Sequence, residues 1–149
     1  MPSSASTDTV DQRARRELRW GRPRNRAFDH LTPLAQARRI ADLALSKLAR
    51  DVLILDMRPV CSYTDYFVIC TGQNPRQAKA VYDEVRERMK AEAGLVPKNV
   101  DGQREASWIL ADYLDVVLHV FTPDARGFYR LEDLWGDVPA VEVEAAVAG

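Results

Sequence analysis

The chain has 149 residues, with 21 Lys and Arg against 22 Asp and Glu, and 46% of its residues are hydrophobic. This balance is typical of one soluble globular domain, and a chain of this length can bury a core without disulfides or metal. No stretch approaches the ~20 apolar residues of a membrane span, and no secretory signal is recognisable, so we expect a cytoplasmic protein that makes no membrane contact.

The sequence predicts neither a metal site nor a cofactor. Its two cysteines, Cys61 and Cys70, are too few for a disulfide framework and have no zinc or thioredoxin spacing. We expect both thiols to be reduced. No cluster of His, Cys and Asp has the spacing of metal ligands.

Positive charge is concentrated at the start of the chain. Residues 1–30 hold seven arginines against four acidic residues, a net charge of +3, whereas the other 119 residues have 14 basic and 18 acidic side chains, a net charge of -4. With few large apolar groups and no hydrophobic period, residues 1–31 are predicted to form a disordered Arg-rich arm. Two interpretations stay open: the arm contacts RNA phosphates, or it is a solvated, variable tail.

The ordered part is predicted to begin with a helix and two strands. Thr32 is a good N-cap, and Pro33 suits the first helical position. One apolar face then recurs at intervals of three and four; it comprises Ala37, Ile40, Ala41, Ala44, Leu45 and Leu48. Residues 51–57 form the first predicted strand, and residues 64–71, apolar nearly throughout, form a second, central strand.

A second helix is predicted to start at Asn74-Pro75, to bury Ala78, Val81, Val85 and Met89, and to end at Gly94. Residues 95–105 are predicted to be a polar connection with a turn at Asp101-Gly102. Residues 107–121 then form two strands, with a tight turn between Asp112 and Asp115.

A third helix is predicted to follow Thr122-Pro123 and to end at Gly136. The helix carries Phe128, Leu131, Leu134 and Trp135. Phe128, Leu131 and Trp135 share one helical stripe, so we expect these three in the core. The order α-β-β-α-β-β-α predicts a mixed α/β domain over residues 32–136, with one sheet of four to five strands flanked by helices. Residues 137–149 are predicted to be an acidic flexible tail.

Enzyme chemistry finds little support in these residues. The loop at residues 71–75 has one glycine and no lysine, so it is not a phosphate-binding loop. Paired metal-binding carboxylates on regular strands should be an even number of residues apart, whereas Asp51 and Asp56 are five apart and Asp112 and Asp115 are three apart. A catalytic histidine needs an orienting acid within hydrogen-bond reach, whereas His119 lies roughly 13 Å along its strand from Asp115. We therefore expect a structural or interfacial histidine.

The remaining candidate is a surface. Trp108, Leu110 and Tyr113 lie in or beside an apolar strand, next to the charged loop at residues 98–105. Aromatic side chains at the rim of a sheet are common anchors of protein interfaces. The alternative is that Trp108 belongs to the core.

Two blocks of sequence carry a family resemblance. Residues 65–85 read DYFVICTGQNPRQAKAVYDEV, and residues 108–137 read WILADYLDVVLHVFTPDARGFYRLEDLWGD. In this order and spacing they resemble the RsfS, or iojap-like, ribosomal silencing factors over about residues 33–136. The chain departs from the family pattern at two places. The family usually has glycine where this chain has Leu114, and it usually has serine after the Thr-Gly pair where this chain has Gln73-Asn74 after Gly72.

The resemblance implies a nucleotidyltransferase-like mixed sheet without an enzymatic role. It also implies that the protein binds ribosomal protein fourteen of the large subunit, blocks subunit joining and represses translation, and that it forms a homodimer when free. By analogy, the partner-binding residues are expected to be Trp108, Leu110, Asp112 and Tyr113, with Lys98 and Arg104 as charges at the rim.

Two other functions stay open. The first is a large-subunit assembly factor that uses the Arg-rich arm on ribosomal RNA. The second is a residual nucleotidyltransferase-like enzyme that binds nucleotide in the cleft of its fold.

Overall fold

The structure, a computed structural model, describes residues 31–135 and 137–143. Its helices and strands in chain order are α1 (Pro33–Ser46), β1 (Arg50–Asp56), β2 (Tyr66–Thr71), α2 (Pro75–Ala93), β3 (Asn99–Asp101), β4 (Trp108–Asp112), β5 (Val116–Phe121), α3 (Pro123–Tyr129), α4 (Leu131–Leu134) and β6 (Ala140–Val141). None of the helices in these ranges is long and apolar enough to cross a membrane.

One mixed sheet organises the domain, with its six strands in the order β3-β4-β5-β2-β1-β6. The central strands β2 and β5 are parallel, whereas the other neighbouring pairs are antiparallel. The predicted mixed α/β class is confirmed. The expected four to five strands become six because a short strand is added at each edge of the sheet.

The three predicted helix starts are present, and the first two have a side-chain cap, whereas Thr122 before α3 makes no side-chain cap hydrogen bond. The side chain of Thr32 accepts a hydrogen bond from the Ala35 N–H at 3.1 Å, and that of Asn74 accepts one from the Gln77 N–H at 2.8 Å. These bonds satisfy backbone donors that the first turn of a helix leaves without partners. At the other end of α2, Gly94 takes the left-handed conformation with φ of 68°.

The two faces of the sheet are covered differently. Helices α1 and α2 pack on one face and bury the apolar residues predicted for α2. We call this the helix face. The opposite face carries a smaller cluster, to which α3, α4 and the β1–β2 connection contribute Ala125, Leu131, Met57 and Cys61. This second face is where the candidate surface lies.

The predicted third helix is two short helices. Arg130 takes φ of 48° between α3 and α4, and this left-handed residue turns the second segment away from the first. The single apolar stripe is therefore broken. Leu131 is buried and Trp135 packs on its cluster, but Phe128 is 78% exposed, so the core expectation is wrong for Phe128. Leu134 is also exposed.

Smaller differences lie at the ends of elements. Leu48, expected on the buried face of α1, lies beyond the end of the helix and is 75% exposed. Residues 99–101 of the predicted polar connection pair with β4 as β3. In the expected tail, Ala140 and Val141 pair with β1, while residues 144–149 lie outside the described residues, as do residues 1–30 of the predicted arm.

Candidate partner-binding surface

Strand β4 places three of the predicted site residues on one face. Trp108, Leu110 and Asp112 are half-buried, whereas the alternating residues Ile109 and Ala111 are fully buried on the helix face. Because side chains alternate along a strand, the period of two in the sequence determines this arrangement. The edge of the sheet next to β4 is formed by only three residues of β3.

Trp108 is the centre of an aromatic group. Its ring centroid lies 4.9 Å from that of Phe121 and 4.7 Å from that of Tyr129. Its indole Nε1–H donates a hydrogen bond to Nδ1 of His119 at 3.1 Å. The indole is thus held on three sides while part of its surface remains exposed to solvent.

His119 lies beneath this group and is 3% exposed. Its ring packs against Phe67, with 4.6 Å between the ring centroids. Burial lowers the pKa of the imidazole to about 3, so the ring is neutral near pH 7. Since Nδ1 accepts from Trp108, the ring proton is on Nε2, and Nε2 is buried without a hydrogen-bond partner among the described residues.

One departure from the family pattern, Leu114, lies in the turn after β4. Leu114 takes φ of 78°, the left-handed conformation that glycine adopts at low cost. Oδ1 of Asp112 accepts a hydrogen bond from the Leu114 N–H at 2.8 Å, which supports the strained turn. The turn therefore keeps a backbone shape that suits glycine and carries a half-buried leucine in its place.

Tyr113 does not share the face of Trp108. It is 3% exposed, and its side chain packs in the cluster under α1 and α2, where burial raises the pKa of its hydroxyl. Because 3% is the exposed fraction of the whole residue, Tyr113 belongs to the core, and its expected contact with a partner stays a prediction. The period of two along β4 continues to position 113 and indicates the face of Ile109 and Ala111, a signal that the grouping of Tyr113 with Trp108 overlooked.

The two predicted rim charges are both exposed. Lys98 precedes β3, and its backbone N–H donates to the carbonyl of Asp112 at 2.7 Å, which brings it to the end of β4. Arg104 lies in the connection between β3 and β4, four residues before Trp108. The charges are therefore near opposite ends of β4.

Sequence reasoning missed several exposed apolar side chains near Trp108. Tyr129, which contacts Trp108, is 48% exposed, and Phe128 packs edge-on against Tyr129 with 5.0 Å between ring centroids. We call Trp108, Leu110, Phe128 and Tyr129 the apolar face. No sequence signal reveals it, since the spacing of Phe128, Leu131 and Trp135 is that of a buried helical stripe.

A separate cavity of about 560 Å³ lies at the carboxyl ends of β2 and β5. Its lining includes Arg50, Asp51, Thr71, Gln73, Arg126 and Glu132. The guanidinium of Arg126 donates to the Asp51 carbonyl at 2.7 Å, to Thr71 Oγ1 at 2.8 Å and to Glu132 at 3.0 Å. Most of its hydrogen-bonding capacity is thus used within the protein.

The carboxylates do not gather as a metal-dependent transferase would need. β1 has an irregular register between Arg50 and Leu53, and Asp51 takes φ of 51°, so parity along a regular strand does not apply there. Asp51 and Asp56 nevertheless lie at opposite ends of the strand, roughly 16 Å apart. Within residues 31–135 and 137–143, no group of three or more His, Cys, Asp or Glu could hold a metal ion.

Comparison with known proteins identifies the family of the chain. The family described as "Ribosomal silencing factor during starvation" matches residues 30–148. The chain belongs to this family. It is 42% identical over 98 residues to ribosomal silencing factor RsfS of Bacillus subtilis, a match covering 66% of this chain and 82% of the relative. The RsfS of Halalkalibacterium halodurans is 39% identical over 102 residues, which cover 68% of this chain and 86% of that relative.

More distant and structural relatives extend the comparison. The mouse protein named mitochondrial assembly of ribosomal large subunit protein 1 is 28% identical over 110 residues, which cover 72% of this chain and 48% of the mouse protein. A crystal structure from Bacillus halodurans has a TM-score of 0.61 and 36% sequence identity, covering 70% of this chain and 95% of that one. This RsfS family member therefore shares its fold with a solved bacterial protein.

Proposed function

We propose that this RsfS family member binds ribosomal protein fourteen of the large ribosomal subunit and sterically blocks joining of the small subunit, which represses translation. The observation that carries the proposal is the apolar face, where half-buried Trp108 and Leu110 lie beside exposed Phe128 and Tyr129. Clustered aromatic side chains of this kind are the usual anchors of protein interfaces.

The mechanism needs binding and bulk rather than catalysis. A domain docked through one face of its sheet keeps α1 and α2 on the opposite side, where they occupy space that the small subunit would need. Exposed Lys98 and Arg104 would act as rim charges, which mainly affect association rate and orientation. Acting on ribosomes, the protein would work in the cytoplasm.

The proposal includes a homodimer of the free protein. Exposed apolar side chains such as Phe128 and Leu134 are suited to self-association. If the dimer used the apolar face, dimerisation would compete with ribosome binding, and apparent affinity would fall as protein concentration rises.

The direct test is sedimentation of purified large subunits with the protein, followed by addition of small subunits in magnesium. We expect the protein to sediment with the large subunit and the joined-ribosome peak to fall. Binding without a fall in joining would favour large-subunit assembly, the role in the name of the mouse relative. Absence of binding would contradict the proposal.

Substitution of Trp108 tests the face itself. Trp108→Ala should weaken binding by at least ~2 kcal/mol, about thirtyfold, if the indole is an interface anchor. Leu48→Ala is the matched control, because Leu48 is also an exposed apolar residue but lies in the α1–β1 connection. Equal affinity of the folded Trp108→Ala variant and the wild type would remove Trp108 from the site.

The enzyme alternative is tested at the cavity. Calorimetric titration with ATP and magnesium should give no saturable heat, because Arg126 already bonds within the protein and the carboxylates of β1 lie apart. Saturable heat that is lost on substitution of Arg126 would support a nucleotide-binding function.

A further inference from the structure

Among the described residues, the indole N–H of Trp108 has one hydrogen-bond acceptor, Nδ1 of His119. β4 and β5 pair so that Trp108 lies opposite Phe121 and Leu110 lies opposite His119. The two bonded side chains are therefore diagonal neighbours on adjacent strands, within reach for long and aromatic residues. The 3.1 Å bond joins a half-exposed ring to a buried one.

His119 is itself firmly held. Its ring packs edge-on against Phe67 and lies nearly parallel to Phe121, with interplanar angles of 63° and 9°. Because a packed aromatic ring in a central strand has little freedom, the Nδ1 acceptor has a fixed position. Trp108 is thus tied to the rigid part of the sheet.

Histidine at position 119 is less favourable for stability than an apolar residue of similar size would be. Nε2 of His119 is buried without a partner among the described residues, and an unpaired buried donor is unfavourable. Leucine or phenylalanine would fill this site without that cost. The feature that distinguishes histidine from them is the acceptor used by Trp108.

We propose that His119 is a positioning residue, whose imidazole holds the Trp108 indole in its docking orientation before the partner arrives. The inference rests on the proposed function and adds to it a residue that does not itself reach the partner. A side chain already held in its bound rotamer loses less conformational entropy on binding. His119 should therefore contribute to affinity through Trp108 alone.

The test compares two variants of similar size in the full-length chain. His119→Asn keeps an acceptor, since its Oδ1 lies close to the position of Nδ1, whereas His119→Leu has none. We expect His119→Leu to weaken binding to large subunits about three- to tenfold, and His119→Asn to bind within about twofold of the wild type. In a Trp108→Phe background the two variants should bind equally, because the donor is gone.

A spectroscopic readout follows the hydrogen bond directly. The chain has three tryptophans, so Trp108→Phe assigns the indole N–H signal by its loss from a ¹H–¹⁵N spectrum. In the free wild type and in His119→Asn, this N–H should exchange with solvent more slowly than that of N-acetyltryptophanamide. In His119→Leu it should exchange faster than in the wild type.

The outcomes separate the two proposals. If the wild type binds large subunits and the Asn and Leu variants bind equally, the role of His119 is refuted while the proposed function stands. If the wild type does not bind, the proposed function fails and the docking role fails with it. Should His119→Leu not fold, unprotected exchange of the Trp108 N–H in the free wild type would still refute the positioning role.

Discussion

At the scale of single residues, several bends of this chain use side chains where glycine would be less strained. Among the residues that the structure describes, the non-glycine residues with positive φ are Leu48, Asp51, Ala106, Leu114 and Arg130. At Leu48 the bend ends α1: the Ala49 N–H donates to the Ala44 carbonyl, and the Leu48 N–H donates to the Leu45 carbonyl. This is the Schellman arrangement, which usually has glycine at the left-handed position.

Leu48→Gly should therefore stabilise the protein. Leu48 has φ of 66° and is 75% exposed, so glycine removes backbone strain with little loss of packing. We expect the free energy of unfolding to rise by about 0.5–1 kcal/mol, after the greater unfolded-state entropy of glycine is subtracted. Urea denaturation of the variant and the wild type measures this change in the free energy of unfolding. Leu48→Ala, which keeps the Cβ atom, should change little; equal gains in both variants would contradict the strain argument.

Burial of His119 should make stability depend on pH. Its folded pKa of about 3 lies below the ordinary value of 6.5, so the unfolded chain binds the extra proton between these values. Stability is therefore full above pH 6.5 and falls as pH decreases toward 3. Between pH 7 and pH 5 the loss should be about 2 kcal/mol.

The comparison that isolates this effect is the His119→Asn variant, denatured by urea at the same two pH values. Glu92 has a pKa lowered to about 2 by its hydrogen bond with Arg39, with burial opposing this shift and a second hydrogen bond to Arg88 adding to it. Its contribution is lost only below pH 4.5 and is common to both proteins. Equal pH dependence of the variant and the wild type would show that His119 does not carry the effect.

At the scale of elements, the sequence predicted the features that depend on a few neighbouring residues, namely helix ends and the alternation of side chains along a strand. The caps at Thr32 and Asn74 and the αL end at Gly94 were predictable because each motif satisfies backbone groups within a few residues. The alternation of Trp108 and Leu110 with buried neighbours followed from the strand period. The helix starts and one face of the candidate site were therefore readable from the sequence.

Features that depend on contacts between residues far apart in the chain could not be predicted from the sequence. Strands β3 and β6 have three and two residues, too few for any period, and exist through pairing with β4 and β1. The bond from Trp108 to His119 requires the β4–β5 register, and the exposure of Phe128 depends on how α3 packs on the sheet. Each depends on tertiary context that residue spacing does not encode.

Two glycines test this distinction between tight and open positions. Gly102 has φ of 84°, and a Cβ atom there would collide with the Trp108 carbonyl, whereas a Cβ atom at Gly127 in α3 meets nothing within 4 Å. Gly102→Ala should reduce the free energy of unfolding by about 2 kcal/mol or more. Gly127→Ala should raise it by up to about 0.8 kcal/mol through helix propensity.

Thermal and urea denaturation of both glycine variants provide the measurement. Because the substitutions are chemically identical, their opposite signs would come from backbone conformation and space alone. A Gly102→Ala variant as stable as the wild type would mean that the β3–β4 connection does not pack on Trp108 as described.

At the scale of the whole molecule, the two sides of the sheet have separate roles. The side under α1 and α2 supplies most of the core, whereas the other side combines a small core with the apolar face. If the proposed docking uses the second side, α1 and α2 lie on the side of the sheet away from the partner. Residues 1–30, with a net charge of +3, precede a body of net charge -4.

This charge asymmetry leads to a prediction for the complete chain. If the arginines of residues 1–30 contact ribosomal RNA, deleting these residues should weaken binding to large subunits and flatten its dependence on salt. For every phosphate that an arginine no longer neutralises, the slope of log affinity against log salt should fall in magnitude by about 0.7–0.9. Binding measured across a series of salt concentrations gives both quantities.

A full-length variant with all seven arginines of residues 1–30 changed to Gln separates charge from length. It should match the deletion if electrostatic attraction is the cause, because counterion release depends on charge neutralised and not on chain length. If the deletion weakens binding while the Gln variant does not, the segment acts through other interactions. If neither changes affinity or slope, the segment is a solvated tail, and binding to the large subunit rests on the folded domain.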